Sequence, residues 1–197
     1  MRLRDGIGAL VVAPVLGALL GAAGGWLWWT WWGPAPKGKI YDTAAGKAWY
    51  PDPFDPGITR EFGGTATYVV VAFGLALLLG LVGGWLARNQ AVAGIIAVLV
   101  GAGLGVLVMT VVGEQLSPPD PATLIASHQV DDVLPGHLAV AGWTPYLAWP
   151  VGAMLAYLVL MLSLNPASTS GGTTAGDGLS GEGQRPEQPS AAPAPQG

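Results

Sequence analysis

Four long apolar stretches, separated by polar segments, dominate the pattern of this chain. They cover residues 7–32, 65–87, 91–113 and 145–164, and none of them contains a Lys, Arg, Asp, Glu or His residue. A helix that rises about 1.5 Å per residue needs about 20 residues to cross about 30 Å of hydrocarbon. Because lipid cannot satisfy backbone N–H and C=O groups, each stretch is predicted to be a membrane-spanning helix.

The polar segments complete the predicted fold, which is an all-α integral membrane four-helix bundle with two outer loops. The loops cover residues 33–64 and 114–144, whereas only residues 88–90 join the second and third spans, which therefore form an antiparallel hairpin. Five prolines in the first loop argue against regular structure there. In the second loop, Asp120 followed by Pro121 is typical of a helix start.

The composition changes abruptly after residue 164. Residues 165–197 consist mainly of Gly, Ser, Thr, Pro, Ala and Gln and contain almost no bulky apolar side chain. Such a segment cannot bury enough surface to offset the entropy that it loses on ordering, so we predict a disordered, low-complexity tail. The chain thus divides into a transmembrane domain, residues 1–164, and this tail.

Composition and charge support the membrane class. Hydrophobic residues make up 51% of the chain and charged residues only 10%, whereas a soluble domain usually has about 25% charged residues. The net charge of -4 gives no reason to expect a nucleic-acid partner. The chain has no cysteine, which excludes disulfides, thiolate metal sites and cysteine nucleophiles.

The distribution of basic residues predicts the orientation. Arg2 and Arg4 flank the first span, and the second loop contains no Lys or Arg. Both features favour an orientation with both termini on the cytoplasmic side of the membrane. The alternative, that the first stretch is a cleaved signal sequence, is disfavoured because the stretch is much longer than the usual apolar core of a signal.

Small residues recur at intervals of four along the predicted spans. Lipid tails are as apolar as leucine, so small residues at positions i and i+4 favour helix association by letting the backbones approach closely. The predicted helix-packing positions are Gly17, Gly21 and Gly25 in the first span, Gly80 and Gly84 in the second, and Gly101 and Gly105 in the third. These faces are expected to meet within one chain; the alternative is that one of them forms a homodimer interface.

One group of residues in the second loop has side chains of the types that bind metal ions. Imidazole nitrogens and carboxylates suit zinc and similar ions, and they occur here as His128, Asp131, Asp132 and His137. Their spacing matches no standard site. Solvated surface residues explain the group equally well, so it stays a weak metal candidate.

The remaining sequence offers little for catalysis or coupled transport. Proton- and ion-coupled carriers keep ionisable residues within the membrane, and the four stretches have none. The chain also contains no nucleophile elbow, no Walker-type phosphate loop and no strand-associated GxGxxG motif. We therefore predict that the protein is not an enzyme, with no catalytic residue and no cofactor.

Three short segments resemble a known family. They are Arg60-Glu61-Phe62-Gly63-Gly64-Thr65-Ala66-Thr67-Tyr68, the Gly/Leu-rich hairpin around Arg88, and Ala148-Trp149-Pro150. Over residues 7–164 the chain is similar to small four-span membrane proteins of actinobacteria that are classed as a domain of unknown function. The resemblance implies an actinobacterial plasma membrane, and it supplies neither an activity nor a functional residue.

Two functional hypotheses are compatible with these observations. The first is an accessory, assembly or scaffold protein of a bacterial envelope complex, embedded in the lipid bilayer and associated with a membrane protein or with itself. Its outer loops would then face the partner, with Trp49, Tyr50 and Phe54 as the candidate contact residues. The alternative is a small permease or channel component for an apolar or lipid-like solute.

Overall fold

Five α-helices form most of the part of the chain that the structure describes. The computed structural model describes residues 3–53 and 58–164, with side chains for residues 10–53 and 62–164. The helices are α1 (Leu3–Trp32), α2 (Ile58–Leu86), α3 (Ala91–Leu116), α4 (Pro121–Leu124) and α5 (Ala148–Leu164). The predicted tail, residues 165–197, and Phe54 lie outside the described residues.

Four apolar segments of these helices are long enough to cross a membrane. They are Leu10–Trp32, Phe62–Leu86, Ala91–Leu116 and Thr144–Leu164, where the last begins with a 3-10 turn that leads into α5. The prediction of four apolar helices with the length and composition of membrane spans is confirmed.

The predicted helix start in the second loop is also confirmed. Pro121 is the first residue of α4, and the Asp120 carboxylate accepts a hydrogen bond of 2.9 Å from the backbone N–H of Ala122. Pro lacks an N–H group that would be unpaired at this position anyway, and Asp satisfies the next one. A 3-10 turn, Ile125–Ser127, follows directly.

The four long helices form a bundle in which α2 and α3 are central. Each of these two helices contacts the three others, whereas α1 packs mainly on α3, and α5 packs mainly on α2. The short connection between α2 and α3 makes them antiparallel neighbours, as predicted. However, the most extensive contact of α3 is with α1, which is its neighbour in space and not in sequence.

The contact between α1 and α3 is made by small residues whose backbones touch. A Cβ atom at Gly21 would lie 2.7 Å from the carbonyl oxygen of Gly105, and one at Gly25 would lie 2.7 Å from that of Met109. Gly17 faces the backbone of Gly101 still more closely. Any larger side chain at these positions would push the helices apart, and the dispersion contacts that hold them would weaken.

The contact between α2 and α5 follows the same principle. A Cβ atom at Gly80 would overlap the carbonyl oxygen of Ala153, and one at Gly84 would lie 3.0 Å from Leu160. By contrast, Gly74 on α2 and Gly103 on α3 have no atom within 4 Å of such a Cβ. Glycines on the same helices thus differ completely in how much space they have.

The loops between the spans contain a small β-sheet, so the prediction of an all-α fold is wrong in this respect. The strands are β1 (Lys37–Thr43), β2 (Gly46–Pro51) and β3 (Val133–Pro135), and β1 lies in the middle. β1 pairs antiparallel with β2 from Gly38–Pro51 to Thr43–Gly46, and with β3 from Lys37–Pro135 to Lys39–Val133.

The prolines of the two loops do not prevent this sheet, because those that adjoin its strands lie at the margins. Pro36 precedes β1, whereas Pro51 and Pro135 are the last residues of β2 and β3. At such positions a proline removes little from the hydrogen-bond ladder. Gly46 begins β2 with a φ of 110°, a conformation that glycine adopts readily and that closes the hairpin.

We call residues 33–53 and 117–143 the cap, because they cover one end of the bundle. Leu138 of the cap is fully buried and belongs to the same apolar cluster as the bundle core. Its backbone N–H donates to the hydroxyl of Ser117 (2.8 Å), and the N–H of Ala141 donates to the hydroxyl of Thr65 at the start of the second span (3.0 Å). The cap is thereby fixed to the end of α2.

Candidate functional site

A cavity of about 620 Å³ lies between the cap and the ends of two membrane helices. Its walls come from β2, from residues 120–125 and from residues 136–141, while Trp32 of α1 and Gly64 of α2 contribute from the bundle. The volume falls within the range of about 300–1,000 Å³ that is common for small-molecule sites. The cavity is therefore the candidate functional site.

Trp49 forms a wall of the cavity that is held in one orientation. Its indole N–H donates to the carbonyl of Leu134 on β3 at 3.2 Å. The ring also lies directly against Gly38, where a Cβ atom would overlap it, and its edge approaches Gly136. Two glycines therefore leave space for the ring, and one hydrogen bond holds it against β3.

His137 and Asp120 contribute polar atoms to the same cavity. Nδ1 of His137 lies 2.9 Å from the carbonyl oxygen of Pro118, which can only accept, so Nδ1 carries the hydrogen. In the neutral ring, Nε2 then has a lone pair, and it has no partner among the described residues. Asp120 uses Oδ1 for the helix cap, which leaves Oδ2 as a further acceptor.

Lys47 is the cationic residue of the cavity wall. Its ammonium group donates to the carbonyl oxygen of His128 at 2.9 Å, which connects β2 to the 3-10 turn after α4. With Asp120 in the same lining, the cavity contains one formal positive and one formal negative charge among its described residues. Such a balance does not attract a strongly charged ligand.

The structure does not bring the four metal candidates together. Nδ1 of His128 faces the carbonyl oxygen of Leu124, and the carboxylate of Asp132 accepts from the N–H of Gln129, whereas His137 lines the cavity. Within the described residues, no group of three His, Cys, Asp or Glu side chains could hold a metal ion. His128, Asp132 and His137 instead make separate local contacts, so the described residues do not support the metal hypothesis.

The structure describes two of the three candidate partner-facing residues. Trp49 and Tyr50 are half-buried and line the cavity. Phe54 lies outside the described residues. The concave surface also includes Trp32, from the end of the first predicted span, and Asp120, which the sequence analysis predicted only as part of a helix start. No spacing signal could reveal this set, since its members come from distant segments.

The bundle end beneath the cap contains a second unusual group. Three buried polar atoms make no well-aligned hydrogen bond with the described residues: Tyr68 Oη, Thr110 Oγ1 and Trp149 Nε1. The Tyr68 ring packs edge-on against Trp28 (5.0 Å between centroids) and Tyr146 (5.6 Å). The aromatic layer is well packed, and the polar neighbour of the Tyr68 hydroxyl is the side chain of Thr110.

Comparison with known proteins assigns neither a family nor a function to this chain. No protein-family model, no curated protein and no solved structure matches this chain. The resemblance to the actinobacterial family therefore stays a prediction, and the functional argument depends on the geometry of the molecule.

Proposed function

We propose that this chain is a non-enzymatic accessory or scaffold protein of a bacterial envelope complex. In this proposal the bundle anchors the protein in the plasma membrane, both termini lie in the cytoplasm, and the cap faces outward toward its partner. The observation that carries the proposal is the contrast between a bundle closed by backbone contacts and a cap with a concave surface.

The closed bundle favours this proposal over a permease or channel. At the α1–α3 interface, Gly21 and Gly25 leave no room between the helices, and Gly80 does the same between α2 and α5. The spans also lack the ionisable side chains that line most coupled pathways. Flux of a lipid-like solute in proteoliposomes, above that of protein-free vesicles, would favour the permease instead.

Site-specific photo-crosslinking in the native membrane tests the proposed partner. A photoreactive residue at Val133, which is exposed on β3 of the cap, is compared with one at Leu107, which is exposed on the side of α3. We expect a discrete protein adduct from Val133 and only lipid adducts from Leu107. If Val133 and Trp143, which is also exposed on the cap, both give no protein adduct, the scaffold proposal is wrong.

The absence of cysteine from the sequence allows a clean test of orientation. Ala126→Cys places a thiol on the cap, and Asn89→Cys places one on the α2–α3 connection; both positions are exposed. A membrane-impermeant maleimide applied to intact cells is expected to label the first variant and to label the second only after lysis. The reverse pattern would place the cap in the cytoplasm.

A further inference from the structure

The cavity borders the ends of two apolar segments that have the length of membrane spans. Trp32 is the last residue of the apolar segment Leu10–Trp32, and Gly64 is near the start of the segment Phe62–Leu86. Helix ends of this kind, with indole rings, are positioned at the interface between hydrocarbon and water. The polar end of a membrane lipid is therefore the molecule that has the most direct access to the cavity.

The aromatic walls provide flat apolar surfaces and little hydrogen bonding. The indole N–H of Trp49 is already donated to Leu134, so this residue offers its ring and no donor. Together with Trp32 it borders a lining that is mostly apolar and includes Ala122 and Ile125. Such walls suit a ligand with an apolar face, and the C–H face of a sugar ring is one of this kind.

The polar atoms that are left for a ligand include two acceptors. Oδ2 of Asp120 accepts hydrogen bonds, and so does Nε2 of His137 when Nδ1 alone carries the ring hydrogen; neither atom has a partner among the described residues. A ligand that satisfies them must bring hydrogen-bond donors. The ammonium group of Lys47 can in turn donate to an acceptor of the same ligand, as a hydroxyl group is both donor and acceptor.

These properties favour a hydroxyl-rich ligand over several others. An acyl chain would offer no partner to the half-buried His137, although the exposed Asp120 would stay hydrated. A proline-rich peptide or a phosphate presents mainly acceptors, which the Lys47 ammonium group can pair, but it brings few hydrogen-bond donors for Asp120 and His137.

We propose that the cavity binds the neutral, hydroxyl-rich headgroup of a membrane glycolipid. A sugar ring packs against Trp49 and Trp32, and its hydroxyl groups donate to Asp120 and His137. This binding goes beyond the proposed scaffold function and does not require a protein partner. The two proposals therefore fail separately, because one is tested by protein adducts in cells and the other by purified components.

Binding is measured with the full-length protein in nanodiscs. One set contains phosphatidylcholine with a dihexosyl diacylglycerol, and the other contains phosphatidylcholine alone. Native mass spectrometry after release from the nanodiscs counts retained lipid, and a titration of the glycolipid gives its affinity. We expect retention of the glycolipid by the wild-type protein and no comparable retention of phosphatidylcholine.

Matched variants locate the bound lipid. Ala122→Trp fills the cavity and should abolish binding, whereas Ala126→Trp adds the same side chain four residues away, outside the lining, and should leave it unchanged. Asp120→Asn preserves a good helix cap while it removes the charged acceptor, so affinity should fall about tenfold. Thermal unfolding of each variant shows whether the fold is intact.

A second pair of variants distinguishes lipid binding in the cavity from a general attraction of the lipid to tryptophan side chains at the membrane interface. Trp32→Leu removes a cavity wall, and we expect about tenfold weaker binding. Trp31→Leu removes the neighbouring exposed indole, which does not line the cavity, and should leave the affinity unchanged. Equal effects of the two substitutions would overturn the assignment.

Each of the remaining outcomes would overturn the glycolipid proposal or replace the glycolipid with another ligand. Glycolipid binding that survives Ala122→Trp, or equal retention of phosphatidylcholine, would overturn the proposal. A soluble methyl glycoside that binds as tightly as the glycolipid would assign the cavity to free saccharides and not to lipid. A proline-rich peptide that binds the wild-type protein and not Ala122→Trp would replace the sugar with a peptide.

Discussion

The bundle and the cap belong to one chain and are stabilised in different ways. Between α1 and α3, glycines bring backbones into contact, so complementarity of shape holds the helices together. In the cap, long polar side chains donate to backbone carbonyls: Trp49 to Leu134, Lys47 to His128, and His137 to Pro118. The first arrangement leaves no space between its elements, whereas the second holds its elements apart.

This difference explains where a cavity can exist in the molecule. Helices in lipid gain no hydrophobic driving force when they associate, so close contact is needed for their dispersion interactions and cavities weaken them. The cap is positioned by individual hydrogen bonds between separate segments, and these bonds fix a frame without filling it. A site for a ligand is therefore expected beneath the cap and not within the bundle.

The largest effect is expected from filling the α1–α3 interface. Gly21→Leu places a side chain against the backbone of Gly105, which cannot move aside, and should lower the free energy of unfolding by about 3 kcal/mol or more. An SDS titration of the purified protein measures this change. Gly103→Leu is the control, since nothing lies within 4 Å of a Cβ there, and it should have little effect. Equal stability of both variants would show that the interface is not close-packed.

The next effect distinguishes two buried tyrosines of the bundle. Tyr157 donates its hydroxyl hydrogen to the carbonyl of Ala91 at 2.6 Å, so Tyr157→Phe should cost about 1 kcal/mol in the same titration. The buried hydroxyl of Tyr68 has only the side chain of Thr110 as a polar neighbour and makes no well-aligned hydrogen bond, so Tyr68→Phe should cost less than Tyr157→Phe. A loss at Tyr68 as large as that at Tyr157 would indicate that Thr110 or a buried water molecule fully satisfies its hydroxyl.

A smaller and local effect is expected in the cap. Trp49→Phe retains a ring and removes the hydrogen bond to Leu134, which should lower the local stability of the sheet by about 1 kcal/mol. Hydrogen exchange should become faster in β1 and β3, while exchange in α1 and α3 stays as in the wild-type protein. Faster exchange throughout the bundle would mean that cap and bundle open as one cooperative unit.

The smallest effect concerns the ion pair between Lys39 and Asp52, whose charged atoms are 3.1 Å apart and accessible to solvent. A hydrogen bond from Lys39 to Asp52, together with the charge of Asp52, raises the pKa of Lys39 above its usual value of 10.5. The pair therefore contributes stability below about pH 10.5 that is lost as the pH rises through the raised pKa. An NMR titration of the Lys39 side chain should give a midpoint above 10.5 that Asp52→Asn lowers.

Part of the architecture was predictable from local patterns. The four apolar segments and the start of α4 at Asp120 and Pro121 follow from composition and from backbone chemistry that acts over a few residues. The sheet was not predictable in this way. In β1 only Gly38 and Ile40 are buried, so the alternation of buried and exposed residues is too short to indicate a strand. The partner strand β3 is also about 90 residues away in the chain.

The sequence by itself determined that this chain forms four apolar helices, because lipid leaves the backbone of such segments no other conformation. It also placed glycines at four-residue intervals that permit close contact. Only the tertiary structure decided that α1 meets α3 and α2 meets α5, and that Trp32, Trp49, Asp120 and His137 surround one cavity. The physical reason is the distance along the chain over which each effect acts. Backbone N–H and C=O groups find their hydrogen-bond partners within one helical segment, whereas a cavity depends on how segments that are remote in the chain are placed in space.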